Sequence, residues 1–312
     1  MKIITLTLSP AFDLHCTAKD FSAGHENLVR TVRREAGGKG VNISRALQAN
    51  GTDSLCLVLL GSENGDEFKN ILLSDRLNIC DLTVSGSIRE NITVHTDRGE
   101  ETRISFDGFE TDPSILKKIT QHLEKIELCD TFVTFTGRAP KGISIELIKG
   151  FLKELQGRGA RIVIDSRSFS LDDLIDCSPY LIKPNEEEIS AYMGRTVSTL
   201  SDAATAAKEI QHKGVENVII TLGEKGAVLA CRSGIFTATA PKINALSTIG
   251  AGDSTIAGFL SAISEGLDEI AALKRAVAYG SAACLTEGTQ PPRKDDIERI
   301  IIQISTKISN KY

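Results

Sequence analysis

Residues 247–254 combine a small, glycine-rich loop with a carboxylate and lead directly into a helical pattern of apolar residues. The first backbone N–H groups of a helix lack partners inside the helix, and the helix dipole is positive at this end. Gly250, Ala251 and Gly252 therefore let an anion approach these N–H groups closely. Asp253 stands beside that site, where its carboxylate can accept the proton of an attacking hydroxyl. This pairing suits the transfer of a phosphoryl group to a hydroxyl without a covalent enzyme intermediate.

A purely structural interpretation of this segment is equally open from its spacing alone. Gly250 and Gly252 can simply form a turn, and Asp253 can cap the helix, which is a common use of aspartate. Other nucleotide-binding motifs do not compete, because Gly40 follows the only Gly-Lys pair in the sequence and excludes a Walker A loop. No GxGxxG segment follows a strand pattern, which disfavours a nicotinamide-dependent dehydrogenase.

A second glycine-rich segment, residues 37–42, also runs into a helical apolar pattern. Gly38 leaves room for a ligand, and Lys39 offers a positive charge to a phosphate. Asn42 offers both a hydrogen-bond donor and an acceptor to sugar hydroxyls. Taken alone, the segment is as compatible with an ordinary helix start as with a sugar or anion site.

Short apolar runs bounded by Gly, Pro, Asp or Asn have the length of buried strands. They lie at residues 3–8, 55–60, 131–135, 161–164, 180–182 and 218–222. The helical patterns between them lie at residues 41–50, 113–125, 144–156, 186–193 and 202–213. This alternation predicts a parallel sheet covered by helices on both faces, and therefore an α/β fold.

Two segments, residues 12–36 and 86–107, interrupt this rhythm. In the second of them, alternating patterns at residues 91–96 and 102–106 flank a short polar turn, which predicts a hairpin. We expect the two segments to form a small separate sheet. The remaining predicted elements are a hairpin at residues 227–231 and 235–239 and helices at residues 253–265, 267–286 and 294–307.

The composition of the chain limits its partners and its cellular location. The chain has 36 Lys and Arg against 41 Asp and Glu, a formal net charge of −5, so neither nucleic acid nor an anionic membrane surface is indicated. The nearest pair of its seven cysteines, Cys56 and Cys80, is 24 positions apart. No CxxC pair is therefore present, and reduced thiols in a cytoplasmic protein are expected. The longest strongly apolar run, residues 55–60, is too short to cross a bilayer.

Considered together, the two glycine-rich segments are far more specific than either alone. AGGKGVNISRAL at residues 36–47 and STIGAGDSTIAGF at residues 247–259 resemble the paired signatures of the pfkB-type (ribokinase-like) carbohydrate kinases. Between them, residues 183–188 resemble the NxxE element of that family, and residues 221–226 resemble its nucleotide-phosphate loop. The resemblance covers nearly the whole chain, and its four matches occur in the order of the family.

The resemblance implies a ribokinase-like three-layer sandwich with a mainly parallel central sheet and a small β-sheet lid. The lid would comprise residues 12–36 and 86–107, and the core would comprise residues 1–11, 37–85 and 108–312. ATP as co-substrate and Mg²⁺ are implied, a monovalent cation is left open, and a homodimer is expected to form through the lid. Closure of the lid would exclude water and so limit wasteful ATP hydrolysis.

The resemblance also implies roles for individual residues. Asp253 would be the catalytic base, and Gly250, Ala251 and Gly252 would form the anion hole. The other positions that match the motifs are Asp13, Gly38 and Asn42 for the sugar, Thr221, Gly223 and Gly226 for the nucleotide phosphates, Asn185 for the nucleotide with its magnesium, and Glu188 for magnesium through water. Oxygen ligands that act through water suit a metal that gives up its own waters reluctantly.

Lysine at the third position of the GGKG segment resembles the branch of the family that acts on sugar phosphates. An acidic protein needs focused positive charge to hold such a dianionic substrate. Lys39 is one candidate, and Arg89 is another because it resembles the arginine of the family that grips the substrate phosphate. Arg138 and Arg30 are further candidates that could equally be solvated surface residues. Residues 26–30 resemble fructose-1-phosphate kinases more than tagatose-6-phosphate kinases, so phosphorylation of fructose 1-phosphate to fructose 1,6-bisphosphate is the expected reaction.

Two departures from the family pattern keep other substrates open. Relatives usually have GlySerLeuPro after a central strand, where this chain has Arg138 in the second position. They commonly have GlyPro where this chain has Gly108 and Phe109. The alternatives are a tagatose-6-phosphate kinase, a kinase of an unphosphorylated sugar or nucleoside, and a non-enzymatic protein that senses sugar and nucleotide. The presence of Asp253 argues against the last of these.

Overall fold

A computed structural model describes residues 1–308 of the chain. Its strands, in chain order, are β1 (Ile3–Thr7), β2 (Ala11–Ala18), β3 (Arg30–Gly37), β4 (Leu55–Gly61), β5 (Asn78–Val84), β6 (Arg89–Thr96), β7 (Glu101–Ser105), β8 (Phe132–Thr136), β9 (Arg161–Asp165), β10 (Leu181–Ile182), β11 (Asn217–Thr221), β12 (Ala227–Cys231), β13 (Gly234–Ala238) and β14 (Thr306–Ile308). Its helices are α1 (Lys39–Ala49), α2 (Gly65–Ser74), α3 (Ser114–Leu123), α4 (Ile145–Gly157), α5 (Leu171–Cys177), α6 (Glu186–Met193), α7 (Leu200–His212), α8 (Ala251–Ser264), α9 (Glu269–Ala283) and α10 (Lys294–Ile301).

A ten-stranded sheet runs through the described chain in the order β14-β13-β12-β11-β10-β9-β8-β1-β4-β5. Every neighbouring pair from β5 to β11 is parallel. The pairs from β11 to β14 are antiparallel. The structure thus confirms the predicted α/β fold with a mainly parallel sheet, and it confirms the predicted hairpin, which is β12 and β13.

Alternating side chains along the central strands reach two separate hydrophobic layers. In β8, Val133 and Phe135 pack into the layer that contains buried residues of α3, α4 and α7. Phe132, which points to the opposite face, packs into the layer that contains buried residues of α1, α8 and α9. Because successive residues of a strand face opposite sides, a run of apolar residues buries both faces of the sheet. Helices therefore cover the sheet on both sides.

A second sheet has four strands in the order β3-β2-β6-β7. β6 and β7 form the antiparallel hairpin that the alternating patterns predicted. β2 pairs antiparallel with β3 and parallel with β6. All four strands fall within or next to residues 12–36 and 86–107, the segments that interrupt the strand and helix alternation.

The predicted helix over residues 294–307 is wrong in its second half. Helix α10 ends at Ile301, and residues 306–308 form β14 at the edge of the large sheet. The isoleucines of this segment recur at helical spacing, but Ile304 is already buried beyond the end of α10. The backbone after it pairs with β13 instead. An edge strand offers free main-chain hydrogen bonds, and such long-range pairing leaves no trace in local periodicity.

Besides β14, three elements were not predicted from the sequence, namely β5, α2 and α5. β5 lies at the other edge of the large sheet, and most of its residues are only partly buried or exposed, so it has no continuous apolar run. α5 has only seven residues, which is too short for a clear helical period. In residues 1–308, no helix has both the length and the hydropathy that crossing a membrane requires.

Candidate active site

The polar residues of the two glycine-rich segments converge at the carboxyl ends of the parallel strands. Lys39 begins α1, and Asp253 lies in the first turn of α8. Asp165 is the last residue of β9, and Lys183 directly follows β10. Ligands of open α/β sheets bind at this edge, where loops and helix N-termini surround the strand ends. The structure therefore brings together residues that are more than two hundred positions apart in the chain.

The Asp253 carboxylate is almost completely buried, with 5% of the residue exposed. Asn42 of α1 donates a hydrogen bond from Nδ2 to Oδ2 of Asp253 at 2.8 Å. Burial raises the pKa of Asp253 to about 6, although Lys39 and the Asn42 hydrogen bond oppose this shift. A carboxylate with this pKa is ionised near neutral pH and is still basic enough to accept a proton.

Gly250 and Gly252 keep the N-terminus of α8 open. Gly250 precedes the helix in the left-handed region with φ 77°. A Cβ atom built on Gly252 would lie 3.0 Å from Nζ of Lys183, so a side chain there would crowd this ammonium group. The exposed N–H groups of the first turn and the lysine thus face the same space. An anion in that space would be stabilised by both.

Asp165 links the two lysines of the site. Nζ of Lys39 donates to its Oδ2 at 2.8 Å, and Nζ of Lys183 lies 3.6 Å from its Oδ1. Burial would raise the pKa of Asp165, but Lys183 and Lys39 hold it below its ordinary value. Asp165 and Lys183 had no predicted role. An aspartate directly after a buried strand was the available signal for Asp165, although a single residue of that kind has no motif around it.

On the small sheet, a chain of hydrogen bonds joins Arg89 to Asp13. Nη1 of Arg89 donates to Oδ1 of Asn91 at 2.8 Å, and Nδ2 of Asn91 donates to Oδ1 of Asp13 at 2.8 Å. Burial raises the pKa of Asp13 above its ordinary value. A Cβ on Gly37 would overlap the Asp13 carboxylate, which explains this glycine in the GGKG segment. Asn91 was not predicted, although its spacing of two residues from Arg89 places both on one face of β6.

Arg138 lies in the loop after β8 and is exposed. Burial lowers the pKa of Arg89 below its ordinary value, and the positive charge of Arg138 lowers it further. Two guanidinium groups that repel each other in this way attract a dianion placed between them. Arg30, the other cation considered from the sequence, is exposed at the start of β3. Gly38 precedes α1 with φ 133°, and a Cβ there would lie 2.6 Å from Cγ2 of Thr7.

Asn185 and Glu188 form a reciprocal capping box at the start of α6. The Glu188 N–H donates to Oδ1 of Asn185 at 2.8 Å, and the Asn185 N–H donates to Oε2 of Glu188 at 3.1 Å. Oε1 of Glu188 also accepts a hydrogen bond from Nε of Arg167 at 2.8 Å. Glu188 lines the same small pocket as Asp165 and Lys183, so it lies near these two residues as well as capping the helix.

Residues 221–226 turn back from the end of β11. Thr221 forms an isolated bridge with Asn185, which places this turn beside the start of α6. Gly223 has φ 56°, and a Cβ there would meet no atom within 4 Å. Gly226 has φ 106°, and a Cβ there would lie 2.0 Å from the carbonyl oxygen of Ala238. Gly226 is therefore required by the fold itself, whereas Gly223 opens onto free space.

This difference predicts distinct effects for two substitutions of the same type. Gly226→Ala should reduce the free energy of unfolding by more than about 3 kcal/mol, because both the backbone angle and the clash oppose a side chain. Gly223→Ala should cost only about 1 kcal/mol, because only the backbone angle opposes a side chain there. Urea unfolding of the two variants measures both effects. Equal losses of stability in the two variants would contradict this distinction.

An α/β sheet that gathers a buried carboxylate, an open helix N-terminus and two lysines at its strand ends has the architecture of a small-molecule kinase. The comparison with known families makes the class definite. The chain belongs to the pfkB family of carbohydrate kinases, whose family model matches residues 7–296.

Individual relatives match across most of the chain. It is 28% identical over 305 residues to the 1-phosphofructokinase of Vibrio cholerae, covering 97% of this chain and 96% of the relative. It is 31% identical over 264 residues to the 1-phosphofructokinase of Escherichia coli K12, covering 83% of each. The crystal structure of phosphofructokinase-2 from Escherichia coli in complex with potassium matches with a TM-score of 0.89 at 26% identity, covering 97% of this chain and 98% of that one. The protein is a carbohydrate kinase with the fold predicted from its sequence.

Proposed function

We propose that this kinase transfers the γ-phosphoryl group of ATP to the free primary hydroxyl of a ketohexose phosphate. Fructose 1-phosphate is the acceptor we favour, with fructose 1,6-bisphosphate and ADP as products. The observation that carries this proposal is the buried Asp253 carboxylate, which lies at the N-terminus of α8 and accepts a hydrogen bond from Asn42. The curated relatives named 1-phosphofructokinase support the choice of acceptor.

In the proposed reaction, Asp253 removes the proton of the sugar hydroxyl as its oxygen attacks the γ-phosphorus atom. The bond from that phosphorus to the β,γ-bridging oxygen breaks, and ADP leaves with the electron pair. The N–H groups that follow Gly250, together with Lys183, stabilise the charge on the transferred group. Lys39 is held by Asp165 beside this space and stabilises the ionised form of Asp253.

Arg89 and Arg138 are proposed to bind the phosphate that the sugar already carries. Asp13 is proposed to accept hydrogen bonds from the sugar hydroxyls, with Asn42 and the backbone at Gly38 completing the contact. The unpaired Oδ1 of Asn42 supports this, since it is a buried acceptor with no hydrogen-bond partner among residues 1–308. A buried polar atom without a partner is costly unless a ligand provides one.

Magnesium is proposed to bind together with the nucleotide. Asp165 and Glu188 line one small space, and Asn185 is bonded to Glu188 at the start of α6, so oxygen donors that suit a hard cation lie close together. Residues 1–308 contain no group of three or more His, Cys, Asp or Glu side chains that could hold a metal ion. Magnesium would neutralise charge on the phosphates of ATP. Thr221, Gly223 and Gly226 are proposed to border the nucleotide phosphates, and a monovalent cation is proposed because a structural neighbour was solved with potassium.

The small sheet is proposed to act as a lid over the sugar and as the contact of a homodimer. Several apolar side chains in its strands or directly beside them in the chain are exposed, among them Val32 in β3, Leu28 before β3 and Phe106 after β7. Exposed apolar residues on a sheet favour contact with a second copy. A cytoplasmic location also remains a prediction.

A substrate panel tests the proposed acceptor. We expect the kcat/KM for fructose 1-phosphate to exceed that for fructose 6-phosphate, tagatose 6-phosphate and free fructose by at least about 100-fold, as the positions of phosphate and hydroxyl must match the site. ADP release coupled to a dehydrogenase assay measures each value. A preference for fructose 6-phosphate, for tagatose 6-phosphate or for an unphosphorylated sugar would replace the proposed acceptor.

A further inference from the structure

Glu35 of β3 is a buried carboxylate that lies outside the reaction described above, with 5% of the residue exposed. Within the small sheet it pairs with Nε2 of His15 at 3.4 Å and with Nε of Arg33 at 3.1 Å. Two further partners come from the far end of the chain. Oγ1 of Thr289 donates to Oε2 of Glu35 at 3.2 Å, and the side chain of Gln290 donates to Oε1. The carboxylate therefore joins the small sheet to a loop of the large part of the molecule.

That loop, residues 287–290, lies directly beside the anion hole. A Cβ built on Gly250 would lie 3.7 Å from Cα of Thr289. On its other side, the loop packs closely against the small sheet, since a Cβ on Gly288 would lie 2.6 Å from Nη2 of Arg33. Arg33 also pairs with the carboxylate of Glu287 at 3.4 Å. The loop is thus in contact with the small sheet on one side and with the anion hole on the other.

The strand register places Glu35 next to Asp13, the proposed sugar ligand. β2 and β3 pair so that Glu35 stands opposite Asp13, and Arg33 stands opposite His15. Two carboxylates at directly opposed positions of a sheet repel each other unless other groups compensate. His15, Arg33 and the two loop donors provide that compensation and turn the Glu35 carboxylate toward the loop. These contacts therefore link the strand pair that carries Asp13 to the loop beside the anion hole.

We propose that Glu35 is a positioning residue whose carboxylate clasps the small sheet to loop 287–290, and so holds Asp13 in place relative to Asp253. The inference rests on the proposed function, which makes Asp13 a sugar ligand and Asp253 the base. A buried carboxylate that loses its partners is strongly disfavoured. The contact between the small sheet and the loop is stabilised by the hydrogen bonds that Thr289 and Gln290 donate to Glu35.

Glu35→Gln tests the clasp, because it keeps the size of the side chain and removes its charge. We expect the kcat/KM for the sugar phosphate to fall roughly 10- to 100-fold, since small misplacements of reacting groups are costly, and the KM for ATP to stay within about two-fold. Hydrogen exchange, measured without substrate, should be faster at the amides of residues 287–290 and of β3. Thr289→Val removes the loop hydroxyl that donates to Glu35, and it should have a smaller effect of the same kind. The double variant should then lose less than the sum of the two single losses.

Two control variants separate positioning from general loss of stability. Glu101→Gln is the same substitution in the same sheet, and within residues 1–308 Glu101 pairs only with neighbours in β6 and β7. Ile148→Val lowers stability by about 1 kcal/mol in the core around α4, away from the clasp. Both should retain the wild-type kcat/KM.

Normal exchange together with normal kcat/KM in Glu35→Gln would overturn the clasp. Faster exchange with unchanged kcat/KM would overturn the positioning role. Wild-type protein that phosphorylates no sugar of the panel would reject the proposed acceptors, and the exchange measurement would still decide whether the clasp exists.

Discussion

Asp253→Asn is expected to lower kcat by roughly 1,000-fold, the scale of a lost general base. Asparagine has nearly the same shape as aspartate and can still accept the hydrogen bond from Asn42, so the site should remain assembled. It cannot accept the proton of the sugar hydroxyl. The dissociation constants for the sugar phosphate and for ATP should therefore stay within about three-fold of wild type, measured by calorimetry, while coupled assays measure kcat.

The dependence of kcat/KM on pH shows whether the group lost in Asp253→Asn is the base. Asp253 acts as a base only when ionised, and its pKa is about 6. The wild-type kcat/KM should consequently fall as the pH drops through about 6, and the residual activity of Asp253→Asn should lack this fall. Asn42→Ala removes a hydrogen bond that lowers the pKa of Asp253, so it should move the fall to higher pH.

A matched control for this variant is Asp268→Asn. Asp268 also stands at a helix N-terminus, where its Oδ1 accepts a hydrogen bond from the N–H of Ala271 at 2.8 Å. Its replacement should leave kcat unchanged, because α9 begins away from the strand ends that form the site. A kcat of Asp253→Asn close to that of wild type would exclude Asp253 as the base.

The sequence singled out those candidate site residues that belong to glycine-rich motifs, and the reason is physical. Gly250 and Gly38 adopt backbone angles that other residues rarely take. Glycine is therefore needed at these positions, and the short segments around them stand out as rich in glycine. Asp253 and Asn42 lie within the helices that those segments begin. Their contact with each other could not be read from the sequence, because it depends on how α1 and α8 pack side by side.

Residues that act through long-range contacts carried no comparable signal. Asp165 is a lone aspartate at the end of a strand, and it contacts Lys39 and Lys183, which come from two other parts of the chain. Glu35 is hidden in the same way, since its partner Thr289 lies 254 positions away along the chain. Tertiary packing decides such contacts, whereas local patterns decide strands and helices. The same limit explains β14, whose pairing with β13 replaced the second half of a predicted helix.

The second large effect is expected on binding of the sugar phosphate. Arg89→Ala should raise the KM for the sugar phosphate by roughly 100-fold and leave the KM for ATP nearly unchanged. Removing one member of a buried, hydrogen-bonded charge pair costs several kcal/mol of binding. Arg89 lies in β6 on the small sheet and is only partly exposed, so its guanidinium is well placed for a strong contact. Initial rates at saturating ATP and at saturating sugar phosphate give the two KM values.

Arg89 also holds Asn91, and through it Asp13, so its loss could act on the sugar hydroxyls rather than on the phosphate. Free fructose separates these effects, because it has the hydroxyls and lacks the phosphate. If Arg89 binds the phosphate, the slow kcat/KM for fructose should be the same in wild type and in Arg89→Ala. If Arg89 acts through Asp13, both acceptors should lose equally.

Arg103→Ala is the control, since Arg103 lies in the same sheet and pairs with Glu101 on its exposed side. Arg138→Ala should raise the KM for the sugar phosphate less than Arg89→Ala does. Arg138 is exposed, and its removal also relieves the repulsion that lowers the pKa of Arg89. A KM for ATP that rises as much as the KM for the sugar phosphate would place Arg89 outside the sugar site. The phosphate of the acceptor would then need other cations, and Lys39 would be the first to examine.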